Sequence, residues 1–419
     1  MTTSDVKLPA VLLRWRGRCF IAAPVLLGLG LVLSVLIGTG DRWNDSFMQA
    51  WLYSFVLVAG LSIGSIALLF IHHMTSGAWS FVIQRILEAN TRVLPLVGIL
   101  FIPILLGPLT NSGVHDLYDA WVHPSGTMGE NIELKAAYLN PQAWAARAAL
   151  YFTIFGSMAF LLNTWSKRLD DTANVNITLN FRRLSPPAQL LWCITMTFAP
   201  LDWMMSLEPS WYSTIYGPHT WISQGLTLLA FSTIILSYIG EEKPLSQYLR
   251  VEHFHHLGNL MMAFTVLWAY MSFSPFLIIW AGNLPEEISY YIARWTPEHN
   301  ILAVILMFFH FFLPLNILLH RRFKKSVTTL RKICVYILIM RCVDVFWVIN
   351  PSFHVDAPGI YWQDVLTHLC VLGGMFSLWF YFFVGQLQKR PLLSLNDPRL
   401  YEAVDGGHAA AHGEIHEHA

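Results

Sequence analysis

The sequence contains little charge, and this shortage separates it from soluble globular proteins. Asp, Glu, Lys and Arg make up 12% of the 419 residues, whereas a soluble domain has about 25%. Hydrophobic residues make up 55% of the chain, and its mean hydropathy is +0.49. The formal net charge is zero, so there is no basic excess with which to bind nucleic acid. Lipid is therefore the expected solvent of the protein.

Cysteine is scarce and scattered, which argues against several kinds of cofactor site. No CxxC or CxxCH motif occurs, so covalently attached haem and Cys-ligated iron–sulfur clusters are not expected in this chain. Glycine-rich phosphate loops, nucleophile elbows and HExxH motifs are missing as well. Disulfides are not expected, because each cysteine lies in or beside an apolar run. The cysteines are Cys19, Cys193, Cys334, Cys342 and Cys370.

Long apolar runs are what the sequence has in abundance. A helix needs about 20 apolar residues to cross a bilayer, and ten runs meet this requirement. They predict an all-α polytopic membrane protein with ten transmembrane helices. The first run is not followed by a signal-peptide cleavage site, so we interpret it as the first helix. The predicted spans are residues 19–38, 49–72, 92–110, 142–165, 187–207, 219–239, 254–282, 297–319, 329–350 and 361–385.

Lys and Arg are distributed unevenly between the loops. Of the 26 basic residues, 21 lie on the side that carries both termini, and basic loops face the cytoplasm. We therefore predict a multi-pass membrane protein with both termini in the cytoplasm. Its regions would be a cytoplasmic N-terminus (1–18), a membrane domain (19–385) and a cytoplasmic tail (386–419).

Three segments outside the spans have patterns of their own. The acidic outer loop 111–141 is long, and loops of this length are typically functional or ordered by a partner. The inner loop 72–92, with Arg85 and Glu88, has the pattern of a short amphipathic surface helix. Three tail histidines at steps of four residues would share a helix face and could bind a metal, but we interpret them as a frayed polar tail. They are His408, His412 and His416.

A faint internal repeat divides the membrane domain. Asp202 and Asp344 each lie seven residues before a Pro-Ser-aromatic triplet, in helices that run outward. The two helices are four spans apart, which predicts two parallel four-helix bundles. Helices 2–5, about residues 49–207, would form the first bundle, and helices 6–9, about 219–350, the second. Helices 1 and 10 would be peripheral.

These two aspartates are the most informative positions for function, because a carboxylate within a membrane is costly unless it is neutral, paired or hydrated. Arg341 lies one turn below Asp344 and predicts an ion pair. Asp202 has no such neighbour in its own helix. We therefore expect it to be unpaired, with a raised pKa, and to exchange protons.

Other protonatable residues lie near the ends of the predicted helices. Asp364, His368 and Glu208 are expected near the outer face. His72, His73 and His256 are expected at the cytoplasmic face, at headgroup level, where most histidines are solvated. The two interpretations of the whole set are polar packing between helices and a role in handling protons or quinol. A b-type haem is not expected, because His310 and His368 lie at different depths.

Several longer segments resemble one family. The chain is similar, over about residues 50–385, to the second large membrane subunit of bacterial alternative complex III, ActF. That subunit belongs to the NrfD/polysulfide-reductase membrane-subunit superfamily. Pro275 departs from the family pattern, in which glutamine is expected. The segments that carry the resemblance are SLEPSWYSTIYG (206–217), FTVLWAYMSFSPFLIIW (264–280), NLPEE (283–287), His72-His73, QRILE (84–88) and RCVDVFW (341–347).

The resemblance implies membership of a respiratory quinol:cytochrome c (or oxidase) oxidoreductase. Its partners would be a paralogous NrfD-like membrane subunit, a periplasmic multihaem cytochrome c, an iron–sulfur subunit and, as a candidate, a terminal oxidase. Haem and iron–sulfur clusters would reside in those partners, and quinone is a candidate ligand of this chain. The alternative is a stand-alone proton-coupled secondary transporter whose halves are the two repeats. Prolines that interrupt helices at matched midspan positions of the two halves would favour the transporter. Pro103, Pro275 and Pro314 fit this pattern only in part.

Overall fold

The computed structural model describes residues 8–37, 43–110, 117–123, 135–174, 176–353, 360 and 362–400. The regular secondary structure of these residues is helical throughout, with no β-strand. Apolar runs of this length satisfy every backbone N–H and C=O group within the helix, which is the requirement for crossing lipid. The predicted all-α polytopic fold is confirmed. The histidines 408, 412 and 416 lie outside the described residues.

The long helices are numbered here in chain order. They are α1 (Ala10–Ile37), α2 (Trp43–Thr75), α3 (Gln84–Thr91), α4 (Leu94–Thr110), α5 (Pro141–Thr172), α6 (Asn176–Trp203), α7 (Tyr216–Ile239), α8 (Val251–Gly282), α9 (Pro297–Leu319), α10 (Val327–Ile349) and α11 (Trp362–Leu387). Within α9 the stretch Leu306–Phe312 is π-helical. Short helices lie at Ala78–Phe81, Asp119–Val122, Leu245–Tyr248, Pro285–Ile292 and Arg321–Lys325, and 3₁₀ turns at Met205–Leu207 and Asn350–Phe353.

The number of membrane-spanning helices depends on one bend. Among the described residues, nine helices are long and apolar enough to cross a membrane, and the bent pair α3–α4 makes ten if it counts as one span. The two helices meet at an angle of 42°. Pro95 is the second residue of α4, and a proline disfavours helical geometry in the residue before it. The predicted third span therefore corresponds to the second helix of this bent pair.

The inner loop does not form a surface helix as predicted. All eight residues of α3 are buried, and the helix packs against α2, α5 and α11. Arg85 and Glu88 form an ion pair with each other at 2.7 Å, which lowers the cost of removing both charges from water. The sequence pattern was amphipathic because α3 carries a polar face, but that face contacts other helices rather than solvent.

The helix neighbours follow the order of the chain. Contacts link α2 to α4, α4 to α5, α5 to α6 and α6 back to α2. A second set links α7 to α8, α8 to α9, α9 to α10 and α10 back to α7. The helix α7 also packs on α2 and α6 and thereby joins the two sets, while α1 packs along α11. The helix α11 also packs closely on α2, so the grouping into two four-helix bundles with helices 1 and 10 peripheral stays a prediction.

The repeat extends to the starts of α5 and α9. Asn140 caps α5 by accepting a hydrogen bond from the Ala143 N–H, and Pro141 follows it. Thr296 caps α9 in the same way through the His299 N–H, and Pro297 follows it. A polar N-cap followed by proline starts a helix at a defined residue. Both helices therefore begin at positions that match in the repeat. Each packs against a helix that carries one of the aspartates, α5 against α6 and α9 against α10.

A test of the fold uses the close approach of α1 and α11. A Cβ at Gly374 would lie 2.9 Å from the backbone nitrogen of Leu27, whereas a Cβ at Gly28 would meet no atom within 4 Å. Gly374→Ala should therefore destabilise the protein by about 1–3 kcal/mol through overpacking. Gly28→Ala, on the opposing helix, should not lower the midpoint of thermal unfolding in detergent. Equal midpoints for the two variants would contradict the packing of α1 on α11.

Candidate functional site: two buried arginine–carboxylate clusters

Asp202 lies near the outer end of α6 and is held by α5. Arg147 donates to its two carboxylate oxygens from Nε at 2.8 Å and Nη2 at 2.9 Å. The Tyr151 hydroxyl donates a third hydrogen bond at 2.7 Å. The expectation that Asp202 is unpaired is wrong, because its partner belongs to a neighbouring helix. The signal in the sequence was Arg147 itself, an isolated arginine inside an apolar span.

Further contacts make this cluster rigid. Arg147 also donates to the Tyr138 backbone carbonyl at 2.8 Å, and its guanidinium lies 3.8 Å from the centre of the Tyr138 ring. Burial, together with the nearby Asp202 carboxylate, raises the pKa of Tyr138 to about 12. The Trp144 indole donates to the Asp202 backbone carbonyl at 2.9 Å. A carboxylate with a bidentate guanidinium and a phenol donor is well satisfied, so Asp202 connects α5 to α6.

Asp344 forms the predicted ion pair with Arg341, and both side chains are buried. The Trp268 indole of α8 donates to the same carboxylate oxygen at 3.3 Å. Arg341 Nε donates to the Thr227 hydroxyl of α7 at 3.2 Å. The pair therefore links α10 to two further helices of the second set, α7 and α8. It occupies the position in α10 that Asp202 occupies in α6.

The Asp344 pair differs from the Asp202 cluster in one respect, because it borders a cavity. The cavity has a volume of about 30 Å³ and lies between α2, α6, α7 and α10. Its wall is largely polar on the α7 side, where the side chains recur every three or four residues along one face. The lining residues are Val56, Leu57, Gly60, Met204, Tyr216, His219, Thr220, Ser223, Gln224, Thr227, Arg341, Asp344, Val345 and Val348.

His219, Ser223 and Gln224 are cavity residues that the sequence analysis missed. A polar stripe at helical spacing within the α7 span was the signal that could have revealed them. His219 Nε2 is hydrogen-bonded to the Ser272 hydroxyl at 3.0 Å. Trp268 lies beside both His219 and His310, at ring-centre distances of 6.4 and 4.3 Å. The second bundle thus has a buried group of protonatable side chains around Asp344.

The predicted outer residues of α11 form a separate cluster. Asp364 accepts a hydrogen bond from the Ser46 hydroxyl at 3.0 Å, and His368 Nδ1 lies 2.7 Å from the Asp364 backbone oxygen. The His368 ring packs on Tyr53 of α2 and Phe346 of α10, at 5.2 and 5.3 Å. Asp202, Asp344 and Asp364 therefore each have their own partners and lie in three distinct surroundings.

Glu208 joins the outer ends of the two halves. It accepts hydrogen bonds from Arg294 at 2.9 Å and from the Ser352 hydroxyl at 2.6 Å. Arg294 also donates to the Val348 carbonyl at 2.7 Å. Burial lowers the pKa of Arg294, but Tyr290 and Glu208 raise it above its ordinary value. Glu208, which precedes the Pro-Ser-aromatic segment after α6, thus binds Arg294 and also Ser352, which belongs to the matching segment after α10.

Of the three predicted inner histidines, His72 and His73 are buried and His256 is exposed, so they do not form one group. His72 and His73 have relative exposures of 0% and 2%, so the expectation that they are solvated is wrong. His72 Nδ1 is hydrogen-bonded to Ser80 at 2.7 Å, and the His73 ring stacks on Phe181 at 3.9 Å. His256 is exposed at the start of α8, where its ring lies 5.9 Å from that of His255.

The C-terminal residues 390–400 cover the inner ends of α2, α3 and α5, and we call them the C-terminal strap. Arg399 binds Asp397 at 2.6 Å and approaches His73 Nδ1 at 3.3 Å. Arg390 reaches Glu88 at 3.3 Å. The side chains of Leu392, Leu393 and Leu400 are each only 1% exposed. The strap thus contacts His73 through Arg399 at this end of the protein.

Glu88 is the centre of a buried ionic network beneath the strap. Arg85 bridges Glu88 and Asp170 of α5, at 2.7 and 2.5 Å. Ser166 donates to Glu88 at 2.8 Å. The network connects α3, α5 and the strap, so its residues have a structural role at the inner face.

Among the described residues, no group of three or more His, Cys, Asp or Glu side chains could hold a metal ion. Comparison with protein-family models and with curated proteins gives no match.

The dependence of Asp202 on Arg147 can be tested by substitution. Arg147→Leu should leave a buried carboxylate without its cation, which costs about 3–5 kcal/mol. We expect a lower midpoint of thermal unfolding in detergent, and partial recovery in Arg147→Leu/Asp202→Leu. Arg168→Leu is the control, because Arg168 is exposed on the same helix. If Arg147→Leu unfolds at the same temperature as Arg168→Leu, the pair does not stabilise α5 against α6.

The strap can be tested through the reactivity of His73. Removing residues 389–419 should expose His73, since it removes Arg399, which contacts the His73 ring and backbone carbonyl. We expect modification of His73 by diethyl pyrocarbonate, measured by peptide mass spectrometry, to rise several-fold. His256 is the internal control, because it is exposed with or without the strap. Unchanged modification of His73 relative to His256 would contradict the covering role.

Proposed function

We propose that this chain is an integral membrane subunit of a respiratory quinol:cytochrome c (or oxidase) oxidoreductase. It would support assembly of the complex and movement of protons across its second bundle. Electrons would pass through haem and iron–sulfur clusters in periplasmic partner subunits, and quinol would be oxidised at the paralogous membrane subunit. The proposal includes a location in the bacterial inner membrane with both termini in the cytoplasm, as the loop charges indicate.

The observation that carries the proposal is the difference between the two matched aspartates. Asp202 is enclosed by Arg147 and Tyr151, whereas Asp344 borders a cavity between the two helix sets that polar side chains of α7 line on one side. A buried acid that contacts a polar cavity can exchange protons with water or with neighbouring side chains. We therefore assign the exchange of protons to Asp344, and we assign a structural role to Asp202.

The surroundings of Asp344 provide further groups for such an exchange. His219 of α7 lines the same cavity, and His310 of α9 lies beside Trp268, whose indole donates to Asp344. Arg341 keeps the carboxylate in place, because a cation one turn away lowers the cost of burying it. The segments that resemble the alternative complex III subunit include this pair, within residues 341–347.

Assembly can be tested by isolating the chain from its native membrane under mild detergent. The proposal expects a multihaem cytochrome, an iron–sulfur protein and a second ten-helix subunit to co-elute in constant ratio. A chain that elutes alone and catalyses proton-driven solute uptake in liposomes would instead be a secondary transporter.

Proton movement can be tested with the complex reconstituted in liposomes. Asp344→Asn should lower the number of protons released per quinol oxidised, because the amide keeps the shape but cannot carry a proton. Glu252→Gln is the control, since Glu252 is an exposed carboxylate at the inner end of α8. An Asp344→Asn complex with wild-type turnover and a wild-type proton ratio would contradict the assignment.

A further inference from the structure

Two residues that line the cavity beside Asp344 each carry a buried polar atom that has no hydrogen-bond partner among the described residues. These atoms are the Ser223 hydroxyl oxygen and the Gln224 side-chain carbonyl oxygen. Their side chains are deeply buried, with relative exposures of 2% and 8%, and both line the cavity. A buried polar atom without a hydrogen bond costs about 1–3 kcal/mol. Two such atoms on residues that line one cavity favour a hydrogen-bonding ligand there.

The size of the cavity determines which ligand fits. A water molecule needs about 10–15 Å³ of such space and between two and four polar partners. The cavity has about 30 Å³, which is room for roughly two water molecules. It is far smaller than the several hundred Å³ that an organic ligand occupies. The adjacent Arg341 guanidinium disfavours a metal cation at this position.

Gly60 of α2 gives the cavity part of its shape. A Cβ at this position would lie 3.1 Å from Gln224 Cγ and 3.4 Å from Gln224 Nε2. Glycine therefore allows the α7 side chain to pack directly against the α2 backbone. The amide of Gln224 is thus held between two helices at the edge of the cavity.

We propose that this cavity is a water-binding site that holds about two water molecules. The waters donate to Gln224 Oε1 and exchange hydrogen bonds with the Ser223 hydroxyl, and they link these groups to His219 and to the Arg341–Asp344 pair. The ion pair is thereby hydrated inside the protein. The site depends only on the polar wall and the cavity volume, so it stands whether or not the chain moves protons.

The experiment is X-ray hydroxyl-radical footprinting of the complete protein in lipid nanodiscs. Radicals formed from bound water oxidise the side chains next to it, and peptide mass spectrometry measures the rate. Met204 lines the cavity and is 7% exposed, while Met158 of α5 is 6% exposed and does not line it. We expect Met204 to be oxidised several-fold faster than Met158. Equal rates would overturn the proposal.

A variant tests the polar wall directly. Ser223→Ala/Gln224→Leu removes both unpartnered groups, and we expect the oxidation rate of Met204 to fall to that of Met158. Ser232→Ala is the matched control, because the Ser232 hydroxyl is also buried and unpartnered on α7 but does not line the cavity. It should leave the rate at Met204 unchanged. If the double variant does not fold, the comparison of Met204 with Met158 in the unaltered protein still decides. A folded double variant with the original rate would contradict the proposal.

Discussion

Charge that is buried among apolar helices has to be paired, and this requirement organises the whole protein. An isolated charge within a membrane costs several kcal/mol, and a pair recovers much of that cost only when its geometry is good. Each long-range pair therefore holds two segments at a defined distance. Among the described residues, pairs with at least one buried partner include Arg85–Glu88, Arg85–Asp170, Arg147–Asp202, Arg294–Glu208, Arg341–Asp344, Arg390–Glu88 and Arg399–Asp397.

The pairs lie in different regions of the protein and have a different structural role in each. At the inner face, Glu88 and the C-terminal strap enclose polar groups that the sequence suggested were solvated. At the outer face, Glu208 and Arg294 connect the segments after α6 and α10. Between these layers, the Asp202 cluster is closed, whereas the Asp344 pair borders a cavity. The two copies of one motif thus have different surroundings, and the second borders the cavity.

The interface between the two helix sets explains this difference. The polar face of α7 points toward α2 and α10. On α2, Gly60 has no side chain and so leaves room for Gln224. In the first set, Tyr151 and Trp144 fill the corresponding space around Asp202. Aromatic rings exclude water and supply single, directed donors. The chemistry available to each aspartate therefore depends on the neighbouring helix more than on its own.

The sequence alone determined the class of the protein, because the length and composition of an apolar run decide whether it can cross lipid. It also identified Arg341–Asp344, whose partners lie three residues apart, since helix geometry places such residues on one face. Only the tertiary structure decided the partners of Asp202 and Glu208. Arg147 is 55 residues from Asp202, and Arg294 is 86 residues from Glu208. No local periodicity relates residues so far apart, and their contact arises only when the helices pack. The same reason applies to the burial of His73 by Arg399 and to the cavity, which exists only where four helices meet.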